Sequence, residues 1–467
     1  MTCLNHASLA ASLAALTVAA DAAAASKPKS PAGKRPDVIV IMTDQQTAGA
    51  MSCAGNPWVR TPAMDALAAD GVRFTRAYCP YPLSGPCRAA LVTGRMPFEV
   101  GAFDNAIRPA DADMQAGIGH RLAEAGYECL YAGKWHVPEV NLPDSGTGFR
   151  RISKMNDPAL ADACDAALKE YDGQKPLFLV ASLLNPHEIC EYGRHETLQY
   201  GELAPFSTEE CPNLPANFMP STYAAEALTL EHASSPRYHD TYTYTQDDWR
   251  RYLYAYYRLV ERADREVGRI VGVLKAHGLY DDAAIVFLSD HGDGAAAHGW
   301  NQKWNLQEEV INVPLIVKPP KGAGLRGVRN DEALSNVGLD LYATVCDYAG
   351  VTPDPGRYRG RSLRPVAEGR QATLHDEVFV ETLLPGPGMR GWCIVGPRYK
   401  YVLYQWGRNR EALYDLQDDP GEMVNLAVDR RYEAELNRLR RAMYDWGVRI
   451  GDPKLVRNLR PFAEPRN

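Results

Sequence analysis

The sequence predicts an α/β fold with a mainly parallel sheet flanked by helices, followed by a smaller C-terminal α+β subdomain. Continuous apolar runs, which are typical of strands buried on both faces of a parallel sheet, alternate with helical patterns through most of the chain. After about residue 370, strand-like segments show partial alternation of apolar and polar residues, which indicates antiparallel pairing. We therefore predict a leader at 1–25, a main domain at 36–370 and the subdomain at 371–467.

Polar residues follow four of the predicted strands. The strands are DVIVIM (37–42), ECLYAG (128–133), LFLVASLL (177–184) and AAIVFL (283–288). The residues that follow them are Thr-Asp-Gln-Gln, Lys-Trp-His, Asn-Pro-His and Ser-Asp-His-Gly. Because ligands of parallel sheets bind outside the carboxyl ends of the strands, we expect these polar tips to meet at one crevice.

Helical patterns separate the strands. Thr61 and Pro62 are residue types preferred at a helix start, so we predict a helix over 61–70. Apolar residues recur at helical spacing through 248–276, and a further helix is expected to begin near Pro86. The subdomain is predicted to contain strands at 377–382, 392–395 and 398–404, a turn-rich segment at 413–426 and an amphipathic helix at 431–447.

Composition favours a soluble, enzyme-sized protein over a nucleic-acid binder. Hydrophobic residues make up 45% of the 467 residues and charged residues 23%, which are ordinary values. Lys and Arg number 51 against 58 Asp and Glu, a net charge of -7, whereas nucleic-acid binders usually show a basic excess. An anionic substrate would therefore have to meet locally placed cations.

The first 25 residues are typical of an export signal. Residues 9–20 form a short apolar run, and Ala23 to Ala25 offer a small-residue cleavage site. Asp21 and the alanine-rich composition argue against a stable transmembrane anchor. We predict an exported bacterial protein, periplasmic or secreted, without stable membrane insertion.

Cysteine usage does not indicate a disulfide scaffold or a zinc ribbon, because the ten cysteines include no C-x-x-C pair. An exported chain could hold one or two disulfides, and Cys190 with Cys211 is the preferred pair. The alternative is that the cysteines are free and buried, as small apolar residues.

The polar strand tips supply a candidate metal site. Asp44, Gln45, Asp290 and His291 offer carboxylate, amide and imidazole ligands from two strand ends. Such an oxygen-rich set suits one divalent cation, with Ca²⁺ preferred and Mn²⁺ second because of the histidine. The alternative is that Asp44 caps the following segment and that Asp290 and His291 form a turn.

Three cations, Arg88, Lys134 and Lys303, are expected at the same rim. Together with a metal they suit a tetrahedral oxyanion such as sulfate or phosphate. The helix near Pro86 would add backbone N–H groups and the positive end of its dipole. Taken singly, each lysine is better explained as a solvated surface residue.

The segment PLSGPCRAALVTGR (82–95) places two possible nucleophiles, Ser84 and Cys87, beside Arg88. Here the chain resembles the type I sulfatases of the alkaline-phosphatase superfamily, over about 36–450. In that family a Cys or Ser in a C/S-x-P-x-R motif followed by Thr-Gly is oxidised to Cα-formylglycine, which implies Ser84 as the modified residue. Further similar segments are TPAMDALAADGVRFTRAY (61–78), GKWH (133–136), NPH (185–187), SDHG (289–292), HGWNQK (298–303) and LYDLQDDPGEMVNL (413–426).

The resemblance implies a sulfuric-ester hydrolase. One hydroxyl of the hydrated Ser84 aldehyde, kept ionised by the metal and Arg88, would attack sulfur. Ser84 is thereby also implied as a metal ligand, and the family's formylglycine-generating maturase as a partner. For a Ser-type motif the family uses a bacterial radical iron–sulfur enzyme.

The same resemblance assigns the remaining roles. Lys134, His187 and Lys303 would bind the sulfate oxygens, and either His187 or Lys303 would protonate the leaving alcohol. His136 would deprotonate the second hydroxyl, which expels sulfate by C–O cleavage and restores the aldehyde. Cys87 stands where many members have serine, and we expect it to take no part.

Two departures leave alternatives open. Gln45 stands where many members have Asp, and His291 where many have Asn; both variants resemble the choline-sulfatase and phosphonate-monoester-hydrolase branch. A phosphonate monoester or phosphodiester hydrolase is the first alternative to a sulfatase, and a non-catalytic sulfoglycan-binding paralogue the second.

The expected substrate is a sulfated small molecule or glycan, with a sulfated carbohydrate preferred. About sixty residues after His187 lack clear periodicity, and long loops of this kind are often functional. Their aromatic residues could stack on a sugar or pack the loop against the body. These residues are Tyr238, Tyr242, Tyr244 and Trp249.

Overall fold

The computed structural model describes residues 35–107, 109–137, 146–234, 241, 243–353 and 356–463. The predicted leader, Tyr238 and Tyr242 lie outside the described residues.

Three sheets contain the fourteen strands of the described residues. The strands are β1 (Val38–Asp44), β2 (Val72–Phe74), β3 (Ala77–Tyr78), β4 (Glu128–Gly133), β5 (Arg150–Ser153), β6 (Leu177–Pro186), β7 (Ala284–Ser289), β8 (Leu315–Lys318), β9 (Val328–Asn330), β10 (Ser335–Asn336), β11 (Val378–Leu384), β12 (Met389–Val395), β13 (Tyr399–Tyr404) and β14 (Glu411–Asp415).

The central sheet has eight strands in the order β5-β4-β6-β1-β7-β8-β2-β9. From β5 to β7 all neighbours are parallel, whereas β8 runs antiparallel to both β7 and β2. β1, β6 and β7 are buried along their whole length, which is why their sequences are continuously apolar. The predicted α/β class with a mainly parallel sheet is confirmed.

Fourteen α-helices lie in the described part of the chain. They are α1 (Pro62–Ala69), α2 (Ser84–Thr93), α3 (Pro97–Val100), α4 (Asp111–Gln115), α5 (Ile118–Glu124), α6 (Asp157–Glu170), α7 (Ile189–Gly193), α8 (Glu226–Ser234), α9 (Gln246–Ala276), α10 (Glu308–Ile311), α11 (Val337–Tyr348), α12 (Arg364–Ala367), α13 (Glu433–Ile450) and α14 (Pro453–Ala463).

The long helix α9 holds α1 against the sheet. Its start is fixed by a capping box, in which Thr245 and Asp248 exchange side-chain and backbone hydrogen bonds. Further along α9, the buried Asp264 accepts hydrogen bonds from the backbone N–H groups of Ala63 and Met64, at 3.1 and 2.9 Å. Asp264 thereby satisfies N–H groups that the first turn of α1 leaves free.

Helix α2 begins at Ser84, earlier than the predicted start near Pro86. Leu83 has an extended backbone and acts as the N-cap residue. Proline is accepted at Pro86 because the N–H groups of a first helical turn have no partner inside the helix. Ser84 itself therefore lies in the first turn of α2.

The C-terminal strands β11 to β14 form an antiparallel sheet, and α13 and α14 pack together beside it. The smaller α+β subdomain is therefore present as predicted. Strand β14 was expected to be part of a turn-rich segment, but it pairs with β13. The N–H of Glu381 in β11 donates to the carbonyl of Pro80, close to the start of α2.

The predicted disulfide between Cys190 and Cys211 is wrong. All nine cysteines of the described residues are free, and all but Cys53 are buried. The Cys190 thiol lies 3.3 Å from Gln45 Oε1, and that of Cys211 donates to the Ser207 carbonyl at 3.4 Å. The sulfurs of Cys190 and Cys211 thus face different polar acceptors rather than each other. The alternative prediction of free, buried cysteines holds for eight of the nine described cysteines.

The segment after His187 contains the short helices α7 and α8 rather than loop alone. Trp249 is buried and packs edge-on against Phe218, Tyr244 and Tyr252. This residue therefore packs the segment onto the body instead of offering a face to a sugar. Among the described residues, no helix combines the length and the apolar character needed to cross a bilayer.

Candidate active site

The buried guanidinium of Arg88 joins the ends of several strands at one crevice. Its Nη2 donates to Asp44 Oδ2 at 2.9 Å, and its Nε donates to Asp290 Oδ2 at 2.8 Å. Its Nη1 donates to Ser182 Oγ at 2.8 Å and to the Lys134 carbonyl at 2.9 Å. Arg88 of helix α2 is thus bound to residues from the ends of β1, β7, β6 and β4.

Ser84 lies at the bottom of this crevice and is fully buried. Its Oγ is 3.0 Å from His291 Nε2 and 3.3 Å from Asp44 Oδ1. The N–H of Gly85 donates to Asn105 Oδ1 at 2.9 Å, so this helix N–H is already used within the chain. The Ser84 hydroxyl is therefore held against two of the predicted metal ligands.

Cys87 faces away from this hydroxyl. Its thiol donates to the carbonyl oxygen of Asp290 at 2.8 Å, and burial raises the pKa of Cys87 well above its ordinary value. Because the thiolate is the nucleophilic form, a buried thiol of this kind is unreactive.

Asp44, Asp290 and His291 form a donor set that fits a divalent cation. Their ligand atoms lie within 4.8 Å of one another, and all three residues are buried. His291 Nδ1 lies 2.8 Å from the Gly292 carbonyl, which fixes the proton on Nδ1 and leaves the Nε2 lone pair facing the carboxylates. Burial and the charge of Lys303 lower the pKa of His291 to about 3, so the ring is neutral, as a ligand must be.

The charges around this donor set also favour a cation. Burial would raise the pKa of Asp44, but the charges of Lys134 and Arg88 hold the pKa well below its ordinary value. Burial and the nearby Asp44 charge raise the pKa of Asp290. Two carboxylates crowded in a dry site repel each other, and a bound divalent ion would offset that repulsion.

Gln45 meets the donor set through its backbone, because its N–H donates to Asp290 Oδ1 at 3.1 Å. Its side-chain Oε1 accepts a hydrogen bond from Lys303 Nζ at 2.8 Å, and its Nε2 donates to Asp293 Oδ2 at 2.8 Å. The Cys190 thiol lies 3.3 Å from the same Oε1, so two groups of the chain already face this predicted metal ligand.

Lys134, Lys303 and His187 line the crevice next to Ser84. Lys134 Nζ lies 2.7 Å from Asp44 Oδ2, and Lys303 Nζ lies 3.1 Å from His187 Nε2. Burial and the charge of Lys303 lower the pKa of His187 well below its ordinary value. The ring of His187 is therefore neutral at pH 7.

His136 follows Lys134 at the same rim. Its Nδ1 has no hydrogen-bond partner among the described residues. Burial and Lys134 lower the pKa of His136 to about 3. The ring is neutral at pH 7 and can accept a proton.

Gln45 and His136 have left-handed backbone conformations, with φ of 68° and 49°. This region costs a residue other than glycine roughly 1–2 kcal/mol. Each of the two follows a strand of the parallel sheet, where a strained backbone is typical of functional sites. Both residues lie where the chain leaves its strand, next to the residues bound to Arg88.

Three residues of the site were not predicted from the sequence. Asp293 binds Gln45, Ser182 binds Arg88, and the hydroxyl of Tyr256 donates to the Gln45 carbonyl at 2.8 Å. Tyr256 also packs in the hydrophobic core beneath the sheet's flanking helix α9. The signal for Asp293 was its place directly after the SDHG segment.

A second group of ligand-type side chains, His298, Glu309 and Glu422, lies close together elsewhere. Lys400 Nζ is 2.7 Å from Glu422 Oε1, so an ammonium group balances part of this acidic charge. We assign no function to it.

The parallel sheet, the buried hydroxyl, the donor set and the neighbouring cations fit a hydrolase that cleaves an ester of a tetrahedral anion. The chain belongs to the sulfatase family: the family model "Sulfatase" matches residues 36–351. A second model, "N-sulphoglucosamine sulphohydrolase, C-terminal", matches 296–448. The resemblance seen in the sequence is confirmed, and the chain is a sulfuric-ester hydrolase.

Relatives extend over nearly the whole chain. A delta 4,5-hexuronate-2-O-sulfatase of Bacteroides thetaiotaomicron is 29% identical, over 93% of both proteins. The structure of a 2-O GAG sulfatase superposes with a TM-score of 0.79 at 26% identity, covering 93% of this chain and 98% of the other. The phosphonate monoester hydrolase of Agrobacterium radiobacter has the same fold, with a TM-score of 0.68 at 22% identity, covering 92% of this chain and 96% of the other.

Proposed function

We propose that this enzyme removes sulfate from a sulfated carbohydrate by means of a formylglycine made from Ser84. The observation that carries the proposal is the Ser84 hydroxyl, buried 3.0 Å from His291 and 3.3 Å from Asp44 and flanked by Arg88. A sugar is the preferred substrate class because the 2-O GAG sulfatase and the hexuronate sulfatase named above act on such compounds.

Two groups would be supplied to the folded chain or its precursor. A divalent cation, with Ca²⁺ preferred, would be held by Asp44, Gln45, Ser84, Asp290 and His291, and would supply Lewis-acid polarisation and a lowered hydroxyl pKa. A radical iron–sulfur maturase would remove two hydrogens from the Ser84 side chain. When hydrated, the aldehyde supplies one hydroxyl to attack sulfur and a second whose deprotonation releases sulfate.

The chain's own cations would hold the sulfate. Lys134 and Lys303 bring ammonium groups to the two sides of the crevice, and His187 offers a neutral ring beside Lys303. Charge-assisted hydrogen bonds of this kind stabilise the oxygens of a tetrahedral anion. As the bond from sulfur to the leaving oxygen breaks, that oxygen would take its proton from the Lys303–His187 pair.

His136 would act as the base that regenerates the site. Its ring is neutral and its Nδ1 has no partner among the described residues, so this nitrogen is available to accept the proton of the second hydroxyl. The same proton is then lost to solvent, since a ring with so low a pKa does not retain it.

Phosphonate monoester or phosphodiester hydrolysis is the second candidate. Gln45 and His291 are the variants that favour it, and a phosphonate monoester hydrolase has the same fold. A non-catalytic sulfoglycan-binding role is the third, and it leaves the complete set of polar residues in the crevice unexplained.

The proposal is tested by the peptide 77–88, AYCPYPLSGPCR, and by turnover. Mass spectrometry of the active enzyme should show this peptide lighter by two hydrogens, and the aldehyde should react with a hydrazine probe. Turnover of an aryl sulfate should exceed that of a matched aryl phosphonate. An unmodified peptide from a fully active preparation would contradict the role of Ser84, and dominant phosphonate hydrolysis would favour the second candidate.

Removal of divalent ions should destabilise the enzyme as well as inactivate it. A cation that binds only the folded state adds stability, and without it Asp44 and Asp290 repel each other. We expect a chelator to lower the melting temperature by several degrees, and Ca²⁺ or Mn²⁺ to restore it. Asp44→Asn is the matched control, because its melting temperature should respond little to the chelator; an equal response would place the ion elsewhere.

A further inference from the structure

We propose that Asp293 is a positioning residue for the proton donor, acting through the side-chain amide of Gln45. The inference rests on the proposed function, in which the Lys303–His187 pair protonates the leaving alcohol. It concerns a carboxylate that contacts neither Ser84 nor Arg88, and it explains why this chain carries glutamine at position 45.

Four groups of the chain donate hydrogen bonds to the Asp293 carboxylate. Its Oδ1 accepts the Ala295 N–H at 2.8 Å, and its Oδ2 accepts the Gln302 N–H at 3.1 Å. The hydroxyl of Tyr252, in α9, lies 3.1 and 3.0 Å from the two oxygens. The remaining bond is the one from Gln45 Nε2 at 2.8 Å. The carboxylate is fully buried, so water does not compete for these bonds.

This arrangement fixes which way the Gln45 amide points. A carboxylate only accepts hydrogen bonds, so it selects the NH₂ end of the amide and turns the oxygen away. The oxygen then lies 2.8 Å from Lys303 Nζ and 3.3 Å from Cys190 Sγ. In the opposite orientation, two NH₂ hydrogens would face an ammonium group, and the amide oxygen would face a carboxylate.

The orientation of the Gln45 amide also fixes the position of Lys303 in the Lys303–His187 pair. Lys303 Nζ has Gln45 Oε1 on one side and His187 Nε2, at 3.1 Å, on the other. An ammonium group on a four-carbon stem has many rotamers, and the two acceptors restrict it to one position. Gln302, whose N–H binds Asp293, directly precedes Lys303, so the carboxylate holds both the backbone and the head group of the lysine.

The step that this geometry serves is proton donation. The bond between sulfur and the leaving oxygen breaks with its electron pair on oxygen, which takes a proton from Lys303 Nζ directly or through His187. The lysine becomes a neutral amine and recovers its proton from solvent. A leaving group of low pKa is stable as an anion and needs no such proton, whereas a leaving group of high pKa depends on it.

Asp293→Asn tests the proposal with a series of substituted phenyl sulfates, from nitro to methoxy. The new amide accepts either end of Gln45, so Lys303 loses its fixed acceptor. Because positioned acids contribute about 10²- to 10⁴-fold, we expect kcat/KM for the poorest leaving groups to fall about tenfold or more. For p-nitrophenyl sulfate it should fall less than about threefold, so the dependence on leaving-group pKa becomes steeper.

Asp264→Asn is the matched control, since Asp264 is also a buried carboxylate that accepts backbone N–H bonds and lies far along α9 from the site. It should lower the melting temperature without changing the leaving-group dependence. Metal content, measured for each variant by elemental analysis, should stay at the level of the unaltered enzyme. A loss that is equal across the series, or that follows lost metal, would overturn the role of Asp293.

The double variant Gln45→Glu/Asp293→Asn exchanges donor and acceptor and keeps the charge of the pair. A carboxylate oxygen again faces Lys303, so the shallow leaving-group dependence should return. A steep dependence in the double variant would overturn the proposal, including where the single variant cannot be purified. Failure of the unaltered enzyme to hydrolyse both aryl sulfates and sulfated sugars would instead overturn the proposed function.

Discussion

Replacing Ser84 by alanine is expected to lower kcat for sulfate release by roughly 10⁴- to 10⁶-fold, the range found when a nucleophile is removed. The side chain that would carry the aldehyde is lost, whereas Arg88, Lys134 and the other proposed metal ligands remain. The variant should therefore still fold. In the presence of a chelator its melting temperature should match that of the unaltered enzyme, whereas its stabilisation by added Ca²⁺ should be smaller because one proposed ligand is lost. Turnover of an aryl sulfate is the measurement of activity.

Cys87→Ser is the control for this experiment. Cys87 lies in the same helix, and a serine hydroxyl can donate to the Asp290 carbonyl as the thiol does. This variant should keep most of the activity. Unchanged hydrolysis by Ser84→Ala, or a loss confined to Cys87→Ser, would refute the assignment of Ser84.

Replacing Arg88 by alanine should damage both stability and activity. The substitution removes the guanidinium that lies 2.9 Å from Asp44 and 2.8 Å from Asp290 in a fully buried site, and Asp44 keeps only Lys134 as a cationic partner. Removing one member of a buried ion pair costs about 3–5 kcal/mol, so we expect a loss of this size in the free energy of unfolding. Sulfate release should fall to background, because the guanidinium also orders Ser182 and the Lys134 backbone.

Arg390→Ala is the control that separates a loss of stability from a loss of catalysis. Arg390 is buried and pairs with Asp452 at 2.7 Å and Glu381 at 3.2 Å, but it contacts none of the crevice residues named here. Denaturant unfolding should show a comparable loss of stability, while the folded fraction keeps its activity. If folded Arg88→Ala enzyme were as active as Arg390→Ala, Arg88 would have only a structural role.

The strands that carry the site are predictable because both faces of each are buried. β1, β4, β6 and β7 start within one residue of the expected positions. β1, β6 and β7 extend past their apolar runs into the polar tips, since backbone pairing continues where apolar character ends. Most of the crevice could thus be foreseen from residue types at strand ends, without any contact being known.

Contacts between distant segments could not be foreseen. Asp293 and Gln45 are 248 residues apart, and Ser182 and Arg88 are 94 apart. The direction of a cysteine side chain cannot be predicted from the sequence either. For this reason a disulfide between Cys190 and Cys211 was expected, although the structure has none between them. The early start of α2 depends on the extended backbone of Leu83, which its residue type does not announce.

The complete burial of α2 bears on when Ser84 could be modified. Every residue from Ser84 to Thr93 is buried, and the N–H of Gly85 donates a hydrogen bond to Asn105 Oδ1. No enzyme could reach this helix once the sheet has closed around it. If Ser84 is oxidised as proposed, we expect the maturase to act before the chain folds, and a molecule that folds first to keep an unmodified Ser84.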